Sequence, residues 1–227
     1  MRGPKHRTLR ENVVDIIRVR IINGELKPGT KIVEQDLAKE FQISRGPIRE
    51  ALRQLEQEGM VEYTRNIGCY VRTVEIEDVY EIYYMRANYE IMAVKLYGSS
   101  FPGKVIYRME DILEEMRQLT EKDCQKIFEL DNKMHSAIME LVAYPRLRKA
   151  WETLEYGNII ISNNTNIDLK TMVNTQYHIH KKLVNACKTG DVKTICDAIL
   201  EHYMTSVKKM IEAAHIRDHK LKYNFDL

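Results

Sequence analysis

"SRGPIREALRQLEQEG", residues 44–59, reads as one helix with two faces. Ser44 suits an N-cap position. Pro47 then falls in the first turn, where a backbone N–H would have no partner within the helix, so the Gly46-Pro47 pair marks a start and not a break. Ile48, Leu52 and Leu55, with Ala51 beside them, form an apolar stripe. Arg45, Arg49 and Arg53, spaced four apart, form a stripe on another face. Gly59 is placed to stop the helix. Such a helix buries one side against its own domain and leaves three guanidinium groups for something else.

The flanking sequence says what that domain is. Residues 9–22, "LRENVVDIIRVRII", put Leu9, Val13, Ile16, Ile17 and Ile21 at helical spacing, and Gly24 follows as a stop. A short helix fits 34–40, with Leu37 and Ala38 as its apolar contacts. "MVEYT-RNIG-CYVRT", 60–73, reads as two short strands about a turn, with Gly68 available for a positive φ. Three helices and a hairpin in this order are the plan of a winged helix-turn-helix. A solvated arginine face is the ordinary reading of such a stripe. In this setting the stripe instead suits the major groove of double-stranded DNA, where arginine forks pair with guanine edges and phosphates.

The same residues carry a resemblance. "KIVEQDLAKEFQISRGPIREALRQLEQEGMVE", 31–62, is similar to the helix-turn-helix signature of the GntR family of bacterial transcription regulators. The resemblance implies that Arg45 and Arg49 contact operator DNA and that the wing glycine, Gly68, enters the minor groove. Gln35 stands where some relatives carry arginine, a departure that bears on which operator is read. The DNA-facing set is then Gln35, Ser44, Arg45, Arg49, Arg53 and Gly68.

Bulk composition agrees with two domains. The 227 residues are 44% hydrophobic and 30% charged, as in an ordinary globular protein, with a net charge of +2. Residues 1–74 hold 14 Lys/Arg against 10 Asp/Glu, and the remaining residues hold 21 against 23. The expected division is 1–74 and 75–227. No apolar run approaches a membrane span, and "MRGPKHRTLRENVV" lacks the apolar centre of a signal peptide, so a cytoplasmic protein with no membrane partner is expected. The cysteines at 69, 124, 187 and 196 match no zinc or redox spacing and read as packed thiols.

Beyond residue 75 the pattern is helical almost throughout, with spans expected at 75–97, 103–120, 123–143, 145–165, 170–189 and 191–217: a mainly α protein ending in an all-α bundle. The apolar stripes are interrupted in an informative way. Asp131 and His135 sit one turn apart on the inward face of 123–143, His180 on that of 170–189, and His202 on that of 191–217. A single inward histidine is ordinarily a hydrogen-bonded core residue, and Asp-x3-His is ordinarily an ion pair. Their coincidence on three helices also suits a divalent transition metal, since burying four such groups without partners costs several kcal/mol. His178, two residues from His180, should face solvent. In 75–97 the stripe Val79, Ile82, Arg86, Glu90, Ala93 contains an inward arginine, suited either to pairing with Glu90 or to clamping a carboxylate.

Residues 76–215 resemble the effector-binding FCD domain of the FadR subfamily of GntR regulators, on "RANYE", "DNKMH", "HKKLVNACKTGD" and "AILEH". The resemblance implies that Asp131, His135, His180 and His202 are the ligands of a divalent metal (zinc, nickel, manganese or iron), that Arg86 lines the effector pocket, and that the effector is a small organic acid. The expected protein is a homodimeric, metabolite-responsive transcription regulator and not an enzyme. Two other readings compete with it: a regulator for which the ion itself is the signal, and a helical-bundle metalloenzyme with a DNA-binding appendage.

Overall fold

The first helix, α1 (Leu9–Ile22), opens on a reciprocal cap that the sequence spells as Thr-x-x-Glu. Thr8 Oγ1 accepts from the Glu11 backbone N–H at 3.2 Å, and a Glu11 carboxylate oxygen accepts from the Thr8 N–H at 2.8 Å. Our computed structural model describes residues 8–65, 67–73, 76–120, 123–154 and 169–213. They divide into two compact units, the first holding the described residues up to 73 together with 152–154, the second holding those in 76–151 and 169–213.

In the first unit α1 is followed by a two-residue strand β1 (Lys31–Ile32), then α2 (Glu34–Glu40), α3 (Arg45–Gln57), β2 (Val61–Thr64) and β3 (Gly68–Val71). The strands form one antiparallel sheet in the order β1-β3-β2, with Ile32 opposite Cys69 and Val61 opposite Val71. Strand β1 was not visible in the sequence, because two residues carry no period. Helix α3 packs on α1 and α2 through Ile48, Ala51, Leu52 and Leu55, all four without solvent contact. Gly59, at φ +71°, ends it where an L side chain would be strained. Two expectations change. Ser44 occupies the N-cap position, with extended backbone at φ −73° for its counterpart Thr8 and −69° for itself, but its hydroxyl makes no capping bond. In α1, Leu9 and Ile16 are exposed at 59% and 41%, and Val14 takes the inward place instead, because the buried arc of α1 is centred on Val13, Ile17 and Ile21.

The second unit contains six described helices: α4 (Ile76–Tyr97), α5 (Gly103–Arg117), α6 (Cys124–Met139), α7 (Pro145–Glu152), α8 (Leu169–Thr189) and α9 (Val192–Ala213). Helix α6 touches α4, α5 and α8, and α9 lies along α4 and α8. Ile127, Leu130, Met134 and Ile138 of α6 are buried along one face, with Ala137 and Met139 buried to either side of it. Two helices end earlier than their periodicity implied. Gln118 caps α5 at its C-terminus and Glu140 caps α6, so the chain turns before the Tyr144-Pro145 pair. The second half of the expected span 145–165, and residues 214–217, lie outside the described residues. Cys69, Cys187 and Cys196 are buried free thiols, as expected.

Because Leu52 is fully enclosed between α3 and its neighbours, Leu52→Ala should lower unfolding stability by about 2–5 kcal/mol, read as a drop in the urea midpoint. Ser44→Ala should fall short of the roughly 1 kcal/mol that an active N-cap contributes.

Candidate DNA-facing groove and metal centre

The first unit offers a groove of about 820 Å³ between α2, α3 and the wing. Gln35, Arg45, Arg49, Arg53 and Gly68 all line it. Ser44 is exposed just ahead of Arg45 and does not line it. The stripe spacing placed the arginines, and the apolar side of α3 fixes which way they face. Gly68, at φ +123°, turns the wing beside them; a Cβ there would stand 3.4 Å from Lys31 Cε.

Sequence reasoning missed Glu34, which organises this surface. One of its carboxylate oxygens accepts from Arg45 at 3.1 Å and from Arg49 at 3.3 Å, while the other accepts from the Tyr63 hydroxyl at 3.3 Å. Partial burial pushes the Glu34 carboxyl up, but the hydrogen bonds from Arg49 and Arg45 outweigh it and hold the group below its ordinary value. The only sequence trace of this role is position: Glu34 opens α2 one residue before Gln35.

In the second unit Arg86, Glu90, Asp131, His135, His180 and His202 are the buried polar and charged residues among those described. The donor atoms of Asp131, His135, His180 and His202 all lie within 4.8 Å of one another. His135 Nε2 is 3.1 Å from His202 Nε2 and 3.8 Å from Asp131 Oδ1, and His180 Nε2 is 3.1 Å from Asp131 Oδ1. Donors bound to one ion at about 2.0–2.2 Å stand roughly 3–4 Å apart, so the separations suit a shared cation.

The hydrogen bonding points the same way. His180 Nδ1 lies 2.9 Å from the Gln176 carbonyl, which can only accept, so Nδ1 carries the hydrogen and Nε2 the lone pair. That lone pair faces a carboxylate oxygen 3.1 Å away, and His180 Nε2 is buried without a hydrogen-bond partner. Two acceptors so placed need a positive charge or a proton between them. A divalent transition ion therefore fits the residues present.

The charges of the cluster bend each other. Burial pushes the Asp131 carboxyl up, but a protonated His180 donating from Nε2, with His135 and Arg86, outweighs it and holds the carboxyl well below the carboxylate range. Burial lowers the His135 pKa, and the Glu90 carboxylate overrides this and raises it. His202, enclosed and flanked by two other imidazoles, is held neutral well below the usual histidine range. His178 is exposed, as its spacing from His180 requires.

Arg86 is fully buried, as its place in the stripe implied. Its guanidinium lies 4.6 Å above the Trp151 ring, its Nε donates to the Tyr203 hydroxyl at 3.2 Å, and an Nη donates to Asn132 at 3.2 Å. The Tyr203 hydroxyl bridges Arg86 to Glu90, donating to Glu90 at 2.6 Å. Asn132, Trp151 and Tyr203 were not singled out from the sequence, although Asn132 and Tyr203 directly follow the ligand-type residues Asp131 and His202.

A winged helix-turn-helix unit with an arginine-lined groove, followed by an all-α unit with a buried ligand-type cluster, defines a DNA-binding regulator with a second, all-α domain. Residues 9–71 match the bacterial regulatory proteins of the gntR family, and residues 81–205 match the FCD domain. The chain belongs to the GntR family of transcriptional regulators. The HTH-type transcriptional regulator YdhC of Bacillus subtilis (strain 168) is 34% identical over 143 residues, 62% of this chain and 62% of that protein. The gluconate operon transcriptional repressor of Bacillus licheniformis is 30% identical over 140 residues, 61% of this chain and 57% of its own. The matched region spans less than two thirds of either relative. A GntR-type regulator from Rhodococcus sp. RHA1 shares the fold at a TM-score of 0.75 and 20% identity, over 90% of this chain and 98% of that one. The family and these relatives are transcriptional regulators, not enzymes. No described helix is long and apolar enough to cross a membrane.

A histidine kept neutral by the fold but free to protonate when unfolded destabilises the fold on the acid side. The unfolded chain then binds more protons, so stability falls as pH drops below about 6.5. Between pH 7.5 and 5.5, by urea titration of the metal-free protein, His202→Gln should lose less stability, or gain more, than the wild type, since His135, whose pKa the fold raises, acts in the opposite sense in both.

Proposed function

We propose that this regulator binds operator DNA as a homodimer and that a small organic acid, bound beside a divalent metal in the all-α unit, controls that binding. The observation that carries the reading is the buried meeting of four donor atoms within 4.8 Å. It comes in a chain whose other unit sets Arg45, Arg49 and Arg53 along one groove. Asp131, His135, His180 and His202 would hold the ion, with zinc, nickel, manganese and iron all compatible with three imidazoles and a carboxylate. When bound, the ion supplies a Lewis-acidic seat for a carboxylate oxygen.

Arg86 supports an acidic effector. A guanidinium buried between Tyr203 and the Trp151 face keeps a fixed positive charge in the bundle. The name of the Bacillus licheniformis relative, a gluconate operon repressor, agrees with regulation tied to an organic acid. On the DNA side, Arg45, Arg49 and Arg53 would meet bases and phosphates of the major groove. Gln35 and Ser44 would contact the same duplex, and Gly68 would let the wing approach the minor groove. One recognition helix reads few base pairs, so two copies on paired half-sites supply the rest. Effector binding then favours one pre-existing arrangement of the paired DNA-binding units over another.

Arg49→Ala should weaken binding to the selected operator by about 1–3 kcal/mol, the range of a bidentate base contact; unchanged affinity in a gel-shift titration would remove Arg49 from the readout. Elemental analysis of protein purified with metals supplied should find one divalent ion per chain, absent from the His135→Ala, His202→Ala double variant. No ion in the wild type would remove the metal from the account.

A further inference from the structure

Glu90 sits on α4 with no solvent contact, and three donors converge on it. Its Oε1 accepts from the Tyr203 hydroxyl at 2.6 Å and from Trp151 Nε1 at 2.9 Å. Its Oε2 lies 2.8 Å from His135 Nδ1. We propose that Glu90 is a positioning residue for the metal centre: it dictates the tautomer of His135 and so decides whether that ring can act as a ligand. The proposal rests on the metal reading above and adds a residue outside the four-ligand set.

The hydrogen count fixes the tautomer. Tyr203 has one hydroxyl hydrogen, and it is committed to Glu90 Oε1. The Tyr203 oxygen therefore only accepts, as it does from Arg86 Nε at 3.2 Å. His135 Nδ1 faces that oxygen at 3.2 Å and Glu90 Oε2 at 2.8 Å, two acceptors and no donor. Nδ1 must carry the hydrogen. In the neutral ring Nε2 is then left as a lone pair, directed at His202 Nε2 3.1 Å away and at the Asp131 side of the cluster.

The same count makes a nearly isosteric substitution a sharp test. In Glu90→Gln the oxygen must remain where Tyr203 and Trp151 both donate. The amide NH2 then takes the place of Oε2 and donates to His135 Nδ1. The imidazole is driven to the other tautomer, with its hydrogen on Nε2, pointing into the cluster where a lone pair is needed. Size and burial are nearly unchanged; one hydrogen bond is reversed and one buried negative charge is lost, so the tautomer, and not zinc affinity alone, carries the test.

The test uses full-length protein with ¹⁵N-labelled histidine, stripped of metal, followed by zinc titration. The wild type should show His135 protonated at Nδ1, and Glu90→Gln should show it protonated at Nε2. Zinc affinity should fall roughly 10–100-fold or more in the variant, the range for loss of a group that orients a ligand. A purely structural role for Glu90 would lower the melting temperature and leave the tautomer alone. An Nε2-protonated His135 in the wild type would overturn the proposal, as would a variant with wild-type tautomer and zinc affinity. If Glu90→Gln does not fold, the wild-type spectrum decides by itself. If the wild type takes up no zinc, the metal reading fails while the spectrum still judges Glu90.

Discussion

His180 Nε2 and the Asp131 carboxylate face each other across 3.1 Å inside a helical bundle, and much of the second unit depends on what reconciles them. Polar groups left unpaired away from water cost on the order of a few kcal/mol each. The fold brings four ligand-type side chains together on helices α6, α8 and α9, and their facing acceptor atoms need a shared positive charge or a proton between them. Helix α6 makes this possible. Its apolar residues Leu130, Met134 and Ile138 are buried against several neighbours, which leaves Asp131 and His135 on the remaining inward arc, one turn apart. Around them a second ring of groups is already satisfied: Gln176 holds His180, and Glu90 holds His135 together with Tyr203 and Trp151.

The first unit solves a related problem at a surface. Three arginines on one helix face repel each other and would sample many rotamers. Glu34 gathers two of them on one oxygen, at the edge of a groove that the wing closes on the other side. A carboxylate beside a phosphate backbone weakens general attraction to DNA. In return it orders the guanidinium groups that stand ready for base edges. The direction in which those groups point is set from behind, by Ile48, Ala51, Leu52 and Leu55 docking α3 on α1 and α2.

Much of this was legible before the structure, and the limits have physical causes. Residues Ile48 to Leu55, Arg45 to Arg53 and the inward Asp131, His135, His180 and His202 follow from helical period alone, because long amphipathic helices repeat their message every turn. Arg86 and Glu90 were visible as inward charges, but whether they paired directly was not. The answer depended on Tyr203, more than a hundred residues away in sequence, standing between them. Glu34 escaped notice because its partners lie on another helix and on the hairpin. Strand β1 is two residues long and exists through its pairing with β3. Ser44 shows the converse: the sequence named the right position for the start of α3 while the expected side-chain bond did not form.

The most direct measurement of the central claim is a crystal structure of protein grown with metals supplied, with anomalous diffraction collected at the absorption edge of the incorporated element. The account predicts one anomalous peak per chain, within about 2.0–2.3 Å of a carboxylate oxygen of Asp131 and one ring nitrogen each of His135, His180 and His202. A map with no peak there, in protein whose Asp131 and His180 instead share a single proton, would contradict it.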